Sequence, residues 1–133
     1  MRTAHVFTCL TLGAATLLIS ACSSTTQQAL YYSSGTSELV IEPNCLQNVS
    51  MEKDLKEREF IRVGRIIETE DCYGELDAWI QSHIGEEVTL IFNGETVSGP
   101  SLVVSPLAAN DIWITSENNE LLSDLYNYIS SQN

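Results

Sequence analysis

Between Val6 and Ile19 the chain carries no charged residue; the run follows a charged start at Arg2 and gives way to the small residues Ser20 and Ala21. That order is the pattern of a cleaved signal segment. The run is shorter than the ~20 residues a helix needs to cross the hydrocarbon core of a bilayer, so it does not read as a permanent span. No other stretch approaches it. The folded part must therefore be built from the residues beyond this segment, in a compartment where disulfides form and persist.

The run closes on Leu18-Ile19-Ser20-Ala21-Cys22, which resembles the lipobox of bacterial lipoproteins: an aliphatic residue, two small residues, then the cysteine that takes the lipid. The resemblance implies a signal peptide over residues 1–21, a diacylglycerol on the Cys22 thiol and a further acyl chain on its new amino group. No cofactor is expected apart from this covalent lipid on Cys22. Two or more chains anchor stably, because each buried methylene contributes about 0.8 kcal/mol and a single chain is marginal. Ser23, where an aspartate would retain the protein at the inner membrane, implies in Gram-negative bacteria a transfer to the outer membrane, facing the periplasm. The other reading of these residues is an ordinary secretory signal cut nearby, with Cys22 left as a thiol.

Removal of residues 1–21 leaves 112 residues, a single-domain length that buries roughly two-thirds of its unfolded surface. All 18 acidic residues remain against five basic ones, a net charge of −13. Nucleic acid and anionic lipid head groups are therefore poor partners. Lys53, Lys56, Arg58, Arg62 and Arg65 hold every positive charge, and nothing after Arg65 is basic. The acidic second half either attracts a cationic partner or keeps an exported domain soluble.

Of four cysteines, Cys9 leaves with the signal and Cys22 carries lipid, so Cys45 and Cys72 remain. A pair in an oxidising compartment reads as a disulfide, contributing about 3 kcal/mol in the chain-entropy model. A redox pair usually wants Cys-x-x-Cys, and zinc wants four ligands where His83 is the single mature histidine. No metal site is expected.

Residues 22–37, rich in Ser, Thr, Gln and Gly with an apolar interruption at Ala29-Leu30-Tyr31-Tyr32, read as a lipidated tether to a periplasmic domain over 38–133. The tyrosines suit either the start of the folded part or the membrane interface. Glu38 to Glu42 is a short strand stopped by Pro43, and the charged stretch Ser50 to Glu59, with Leu55 as its anchor, favours a helix. Phe60 to Thr69 is a strand whose alternation breaks at Gly64-Arg65, as at a bulge. Leu76, Trp79, Ile80 and Ile84 share one face of a helix over 74–84, with Gly85 at its end.

Val88, Leu90 and Phe92 alternate into Asn93-Gly94, a pair suited to a tight hairpin returning through Thr96 and Val97. Gly99-Pro100 should interrupt pairing, Leu102 to Val104 resume it, and Ile112-Trp113-Ile114 add a short strand. Ser116 is expected to cap a last helix that buries Leu122, Leu125, Tyr126 and Ile129, with Glu117 and Glu120 in its first turn. The sum is an α+β fold, a small mixed or antiparallel sheet with helices packed on one face.

The run Gly85 to Pro100, with Asp111-Ile112-Trp113-Ile114-Thr115 and the helix containing Leu121 and Leu125, resembles the head of the first periplasmic domain of the SecD and SecF translocase subunits. There a glycine-started strand, a turn ending in glycine, a short return and a proline precede a further strand and a helix. The resemblance covers about the last half of the mature chain. It implies a small periplasmic module that contacts other proteins through an exposed sheet or loop. Those subunits also carry several transmembrane helices, which this chain lacks, so a translocation motor is not implied.

Chemistry-bearing patterns are sparse. No Gly-x-Ser-x-Gly elbow or Cys-His setting accompanies His83, which reads as structural. Glu68, Glu70 and Asp71, with Glu86 and Glu87, could hold calcium or act as an acid pair, yet no spacing resembles an EF-hand, and a solvated face explains them. Asn48-Val49-Ser50 matches a glycosylation sequon, accidental in a bacterial protein. Trp79 and Trp113 read as core or half-buried anchors. No phosphate loop, catalytic set or small-molecule site is evident. The expectation is a non-enzymatic envelope lipoprotein that binds another envelope or secreted protein. Its rival is an immunity or inhibitor protein neutralising a cationic toxin or lysozyme, although the lysozyme-inhibitor pattern of Ser-Gly followed closely by Tyr is not met at Ser34-Gly35. An enzyme is the third class.

Overall fold

The structure, a computed structural model, describes residues 28–133. The leader, Cys22 and residues 22–27 of the expected tether lie outside them.

Period-two alternation and turn chemistry build the chain into two antiparallel sheets rather than the one sheet expected. In the first, β1 (Leu30–Ser33), β2 (Glu38–Val40), β5 (Glu87–Phe92) and β6 (Glu95–Leu102) stand in the order β2-β1-β5-β6. In the second, β3 (Leu46–Lys53), β4 (Glu59–Ile66) and β7 (Asn110–Ile114) stand in the order β3-β4-β7. Two helices complete an α+β fold: α1 (Glu75–Ser82) and α2 (Asn119–Ser130). Among the described residues no helix is long and apolar enough to cross a membrane.

Part of the expected tether belongs to this fold. Leu30 is 1% exposed, and β1 pairs with both β2 and β5. The apolar interruption at 29–32 is thus the first strand.

The helix expected over Ser50–Glu59 is instead a hairpin, in which Ser50, Met51, Glu52 and Lys53 pair with Arg62, Ile61, Phe60 and Glu59. A helix there would have had only Met51 and Leu55, four residues apart, to bury, and Leu55 stands fully exposed at the turn. In the hairpin Val49 and Met51 lie opposite Val63 and Ile61, packed on the core. Asp54 builds the turn: its Oδ1 accepts from the backbone N–H of Lys56 at 2.8 Å and of Arg58 at 2.9 Å.

At Gly64 the alternation does break. Ile61 and Val63 are buried, then Ile66, while the register to β3 gains no extra residue. The switch of face falls where Asn48, in the left-handed region at φ 54°, approaches Gly64.

The Asn93-Gly94 turn has both residues at positive φ, 54° and 80°, which matches the twist of β5 and β6. Pairing does not stop at Gly99-Pro100 as expected. β6 runs on to Leu102 through two register shifts opposite Val88 to Ile91, and Gly99 makes this feasible because an added Cβ would stand 2.8 Å from the Val88 carbonyl oxygen.

The first turn of α2 is also corrected. Asn118, not Ser116, caps it, its Oδ1 accepting from the Leu121 N–H at 3.1 Å. Only Glu120 of the two glutamates lies in that turn. The buried face is Leu121, Leu122, Leu125 and Ile129, with Tyr126 partly exposed.

The sheets and helices share one core, in which Leu30, Ile61, Val63, Ile66, Phe92, Leu122, Leu125 and Ile129 are almost wholly enclosed. Burying each such side chain stabilises the fold by roughly 1.5–3 kcal/mol. A single turn of 3₁₀ helix, Pro43–Cys45, enters β3, and a π turn, Glu70–Gly74, leads into α1. A disulfide between Cys45 and Cys72 joins these two turns, with Cα atoms 5.4 Å apart.

Candidate functional site: the outer face of the three-stranded sheet

Register decides which side chains of β3, β4 and β7 meet solvent. Val49, Met51, Ile61, Val63, Ile112 and Ile114 turn toward the core. Their neighbours, Ser50, Glu52, Phe60, Arg62 and Trp113, must therefore occupy the opposite face. Arg62 sits between Ser50 of β3 and Trp113 of β7, and Phe60 lies opposite Glu52.

Phe60 is only 7% exposed, yet it is not part of the main core cluster. The Trp113 indole covers it from outside, the ring centroids 4.7 Å apart and the planes 30° from parallel. Trp113 itself is 59% exposed. The expectation of a core or half-buried anchor is corrected for this tryptophan, because Ile112 and Ile114 take the inward positions on either side of it.

The polar groups of this face hold one another. Arg62 Nε donates to Asp111 Oδ1 at 2.6 Å, and its Nη1 lies 3.7 Å from Glu52 Oε2. Ser50 Oγ donates to the same Glu52 oxygen at 2.7 Å, and the Trp113 indole N–H reaches Asp111 Oδ1 at 3.2 Å. The hydrogen bond from Arg62, followed by the one from Trp113, holds the Asp111 carboxyl below the usual carboxylate range. The same bond raises the Arg62 guanidinium. Pairs this exposed add little to stability. Their effect is positional: Arg62 and Trp113 are presented in fixed orientations, with little rotamer freedom left to lose on contact.

The other residues singled out from the sequence lie elsewhere. His83 closes a ladder of rings: Trp79 stacks on Tyr32 at 6.1 Å and on His83 at 3.9 Å. Trp79 Nε1 donates to Ser37 Oγ at 2.9 Å, and His83 Nδ1 lies 2.7 Å from the Trp79 carbonyl oxygen. The ladder packs α1 onto β1 and brings no nucleophile to His83 beyond its neighbour Ser82, at 2.9 Å.

Glu68, Glu70, Asp71, Glu86 and Glu87 are all exposed, and no group of three or more His, Cys, Asp or Glu spaced to hold a metal occurs among the described residues. Asn48, of the sequon, is placed on β3 beside Gly64. A partly open cleft of about 30 Å³ lined by Leu30, Tyr32, Leu90, Leu107 and Ile114 has room for a water or two, far below the 300–1,000 Å³ of ordinary ligand sites.

Sequence reasoning passed over Phe60, Arg62, Glu52 and Asp111 as a group. The signal was present in part. Alternation in Phe60-Ile61-Arg62-Val63 sets Phe60 and Arg62 on one side, and alternation in Ile112-Trp113-Ile114 sets the indole outward. Which strands are neighbours was not readable. Comparison of the chain with known protein families, with curated proteins and with solved structures finds no match.

Proposed function

We propose that this chain is a lipid-anchored envelope protein that acts by binding another protein rather than by catalysis, and that the outer face of the three-stranded sheet is its contact surface. The observation that carries this is Trp113: a large indole, 59% exposed, braced on Phe60 and hydrogen-bonded beside an arginine already pinned by two carboxylates. Tryptophan and arginine dominate binding energy at protein interfaces, above all where they are held rigid before contact. The lipid anchor rests on the resemblance of Leu18 to Cys22 to a lipobox.

A photo-reactive amino acid at Ser50, in the producing cell, tests it. A discrete protein adduct is expected, lost on Trp113→Ala, with none from the same probe at Thr96 on the other sheet. An unchanged adduct in Trp113→Ala, or no adduct at Ser50, removes this face as the contact surface.

A second reading has its own support. Every cation of the described residues lies between Lys53 and Arg65, so residues 66–133 present carboxylates alone. An inhibitor or immunity protein directed at a cationic enzyme would use carboxylates of that half of the chain. Salt-sensitive binding to a basic lysozyme, retained in Trp113→Ala, would favour it over the first.

A further inference from the structure

The chain enters the described residues at Gln28, and several distant segments converge there. The Asn93 N–H donates to the Ala29 carbonyl at 3.1 Å, and the Ala29 N–H donates to Asn93 Oδ1 at 3.3 Å. The Tyr128 hydroxyl donates to the Gln28 carbonyl at 3.4 Å, and its ring lies 5.1 Å from that of Phe92. Asn133 Nδ2 donates to the Pro43 carbonyl at 3.3 Å. The β5–β6 turn, the 3₁₀ turn and the last turn of α2 thus form one pole around the point of entry. From that pole β3 carries the chain away for eight residues, about 25 Å of extended strand, to the Asp54–Arg58 turn.

The pole is set apart by charge. Residues 28–37, 43–51, 88–94 and 125–133 contain no Asp, Glu, Lys, Arg or His, in a domain that carries −13. Six carboxylates border these segments in sequence, Glu38, Glu42, Glu52, Glu87, Glu95 and Asp124, and of them Glu42, before the 3₁₀ turn, and Glu95, closing the β5–β6 turn, stand at the pole itself.

We infer that this sparsely charged pole lies against the head groups of the membrane that holds the lipid, with the Asp54–Arg58 turn directed away from the bilayer. The inference rests on the proposed anchor at Cys22 and deepens it. Six residue steps separate Cys22 from Gln28, and at 3.3–3.6 Å per residue they reach about 20 Å at most. The domain is therefore held within a few Debye lengths, each about 8 Å, of an anionic surface. Turning any carboxylate-rich side toward that surface costs repulsion and ion desolvation. Turning the pole of Asn93, Gly94, Asn127 and Gln132 toward it costs less, with only Glu42 and Glu95 beside it; the far turn, about 25 Å away along β3, is beyond the reach of the tether, and Tyr128 supplies an amphipathic ring suited to the interface.

The test uses the full lipidated chain reconstituted in vesicles of phosphatidylethanolamine and phosphatidylglycerol that contain a head-group nitroxide lipid. Fluorophores are placed by Gln132→Cys at the pole and by Leu55→Cys at the far turn, both exposed positions. Quenching several-fold stronger at 132 than at 55 is expected, with a fall toward the level at 55 when a long Gly/Ser stretch is inserted after Gln27. Equal quenching, stronger quenching at 55, or no response to the insertion, in protein whose mass shows acyl chains on Cys22, overturns the orientation alone. A mass without acyl chains overturns the anchor and the orientation together.

Discussion

Arg62 and Asp111 are joined by a 2.6 Å hydrogen bond between residues 49 apart in sequence that are not register partners: Arg62 pairs with Trp113, and Asp111 reaches it diagonally from a left-handed backbone at φ 56°. The diagonal reach brings the carboxylate under both the guanidinium and the indole N–H. Asp111 thereby orders the two side chains that would meet a partner.

That arrangement has a pH signature. The Asp111 carboxyl is held below its ordinary range by the Arg62 hydrogen bond first and the Trp113 bond second. A carboxyl with a depressed folded pKa contributes stability above its unfolded value, about 3.9, and loses it as pH falls through the folded value. Asp111→Asn, which keeps a residue tolerant of positive φ, is expected to melt slightly below the parent at neutral pH. The two melting curves should converge in strong acid. An offset that stays constant from neutral pH to pH 2 would mean that ionisation of Asp111 contributes nothing.

Gly64 and Asn48 fix where β3 and β4 change face. A Cβ on Gly64 would stand 2.7 Å from the Asn48 Cβ and 3.1 Å from its carbonyl oxygen. Gly64→Ala should therefore destabilise the domain by about 1–3 kcal/mol, the usual range for overpacking. Asn48→Gly removes the nearer atom and suits the positive φ at that position, so adding it to Gly64→Ala should recover most of the loss. Urea midpoints of the two single variants and the double variant form the cycle. Strictly additive effects would show that the Asn48 Cβ is not what excludes a side chain at position 64.

The Cys45–Cys72 disulfide closes a loop of sequence separation 27, worth roughly 3–4 kcal/mol in the chain-entropy model. Its two ends lie in short turns, and the Ile67 N–H donates to the Cys45 carbonyl at 2.9 Å beside it. Replacing both cysteines by serine should lower the unfolding free energy by about that amount. Hydrogen exchange should rise most over residues 70–82, where the π turn and α1 lose their tie, and least in the β3–β4 ladder. Uniform loss of protection across the domain would place the effect in the unfolded state alone.

Local chemistry made some of this fold readable. Asn93-Gly94 specifies a two-residue turn by backbone sterics alone, and Leu76 with Ile80 marks the buried side of α1. The β3–β4 hairpin was hidden because Glu52, Lys53, Lys56, Glu57 and Glu59 favour a helix by propensity. The competing signal, Val49 and Met51 two apart, gains meaning only when Val63 and Ile61 stand opposite. The same holds for Leu30, whose burial depends on β5, some sixty residues later. The candidate surface was the least readable, since Arg62 finds Asp111 only through the pairing of β4 with β7.

The start of α2 separates propensity from geometry. Ser116 and Asn118 are both residues that cap helices, but they have different partners. Ser116 Oγ accepts from the Asn118 N–H, outside the helix, while Asn118 Oδ1 accepts from the Leu121 N–H, one of the donors the helix itself leaves without a carbonyl. Asn118→Ala should therefore cost about 1 kcal/mol. Ser116→Ala should cost less, because the exposed Asn118 amide can turn to water. Leu121 and Leu122, at the same end, are buried, so fraying of the first turn loosens core packing and the loss at Asn118 should appear in the global urea midpoint as well as in local exchange. A larger loss for Ser116→Ala than for Asn118→Ala would mean that the helix begins two residues earlier than its hydrogen bonds place it.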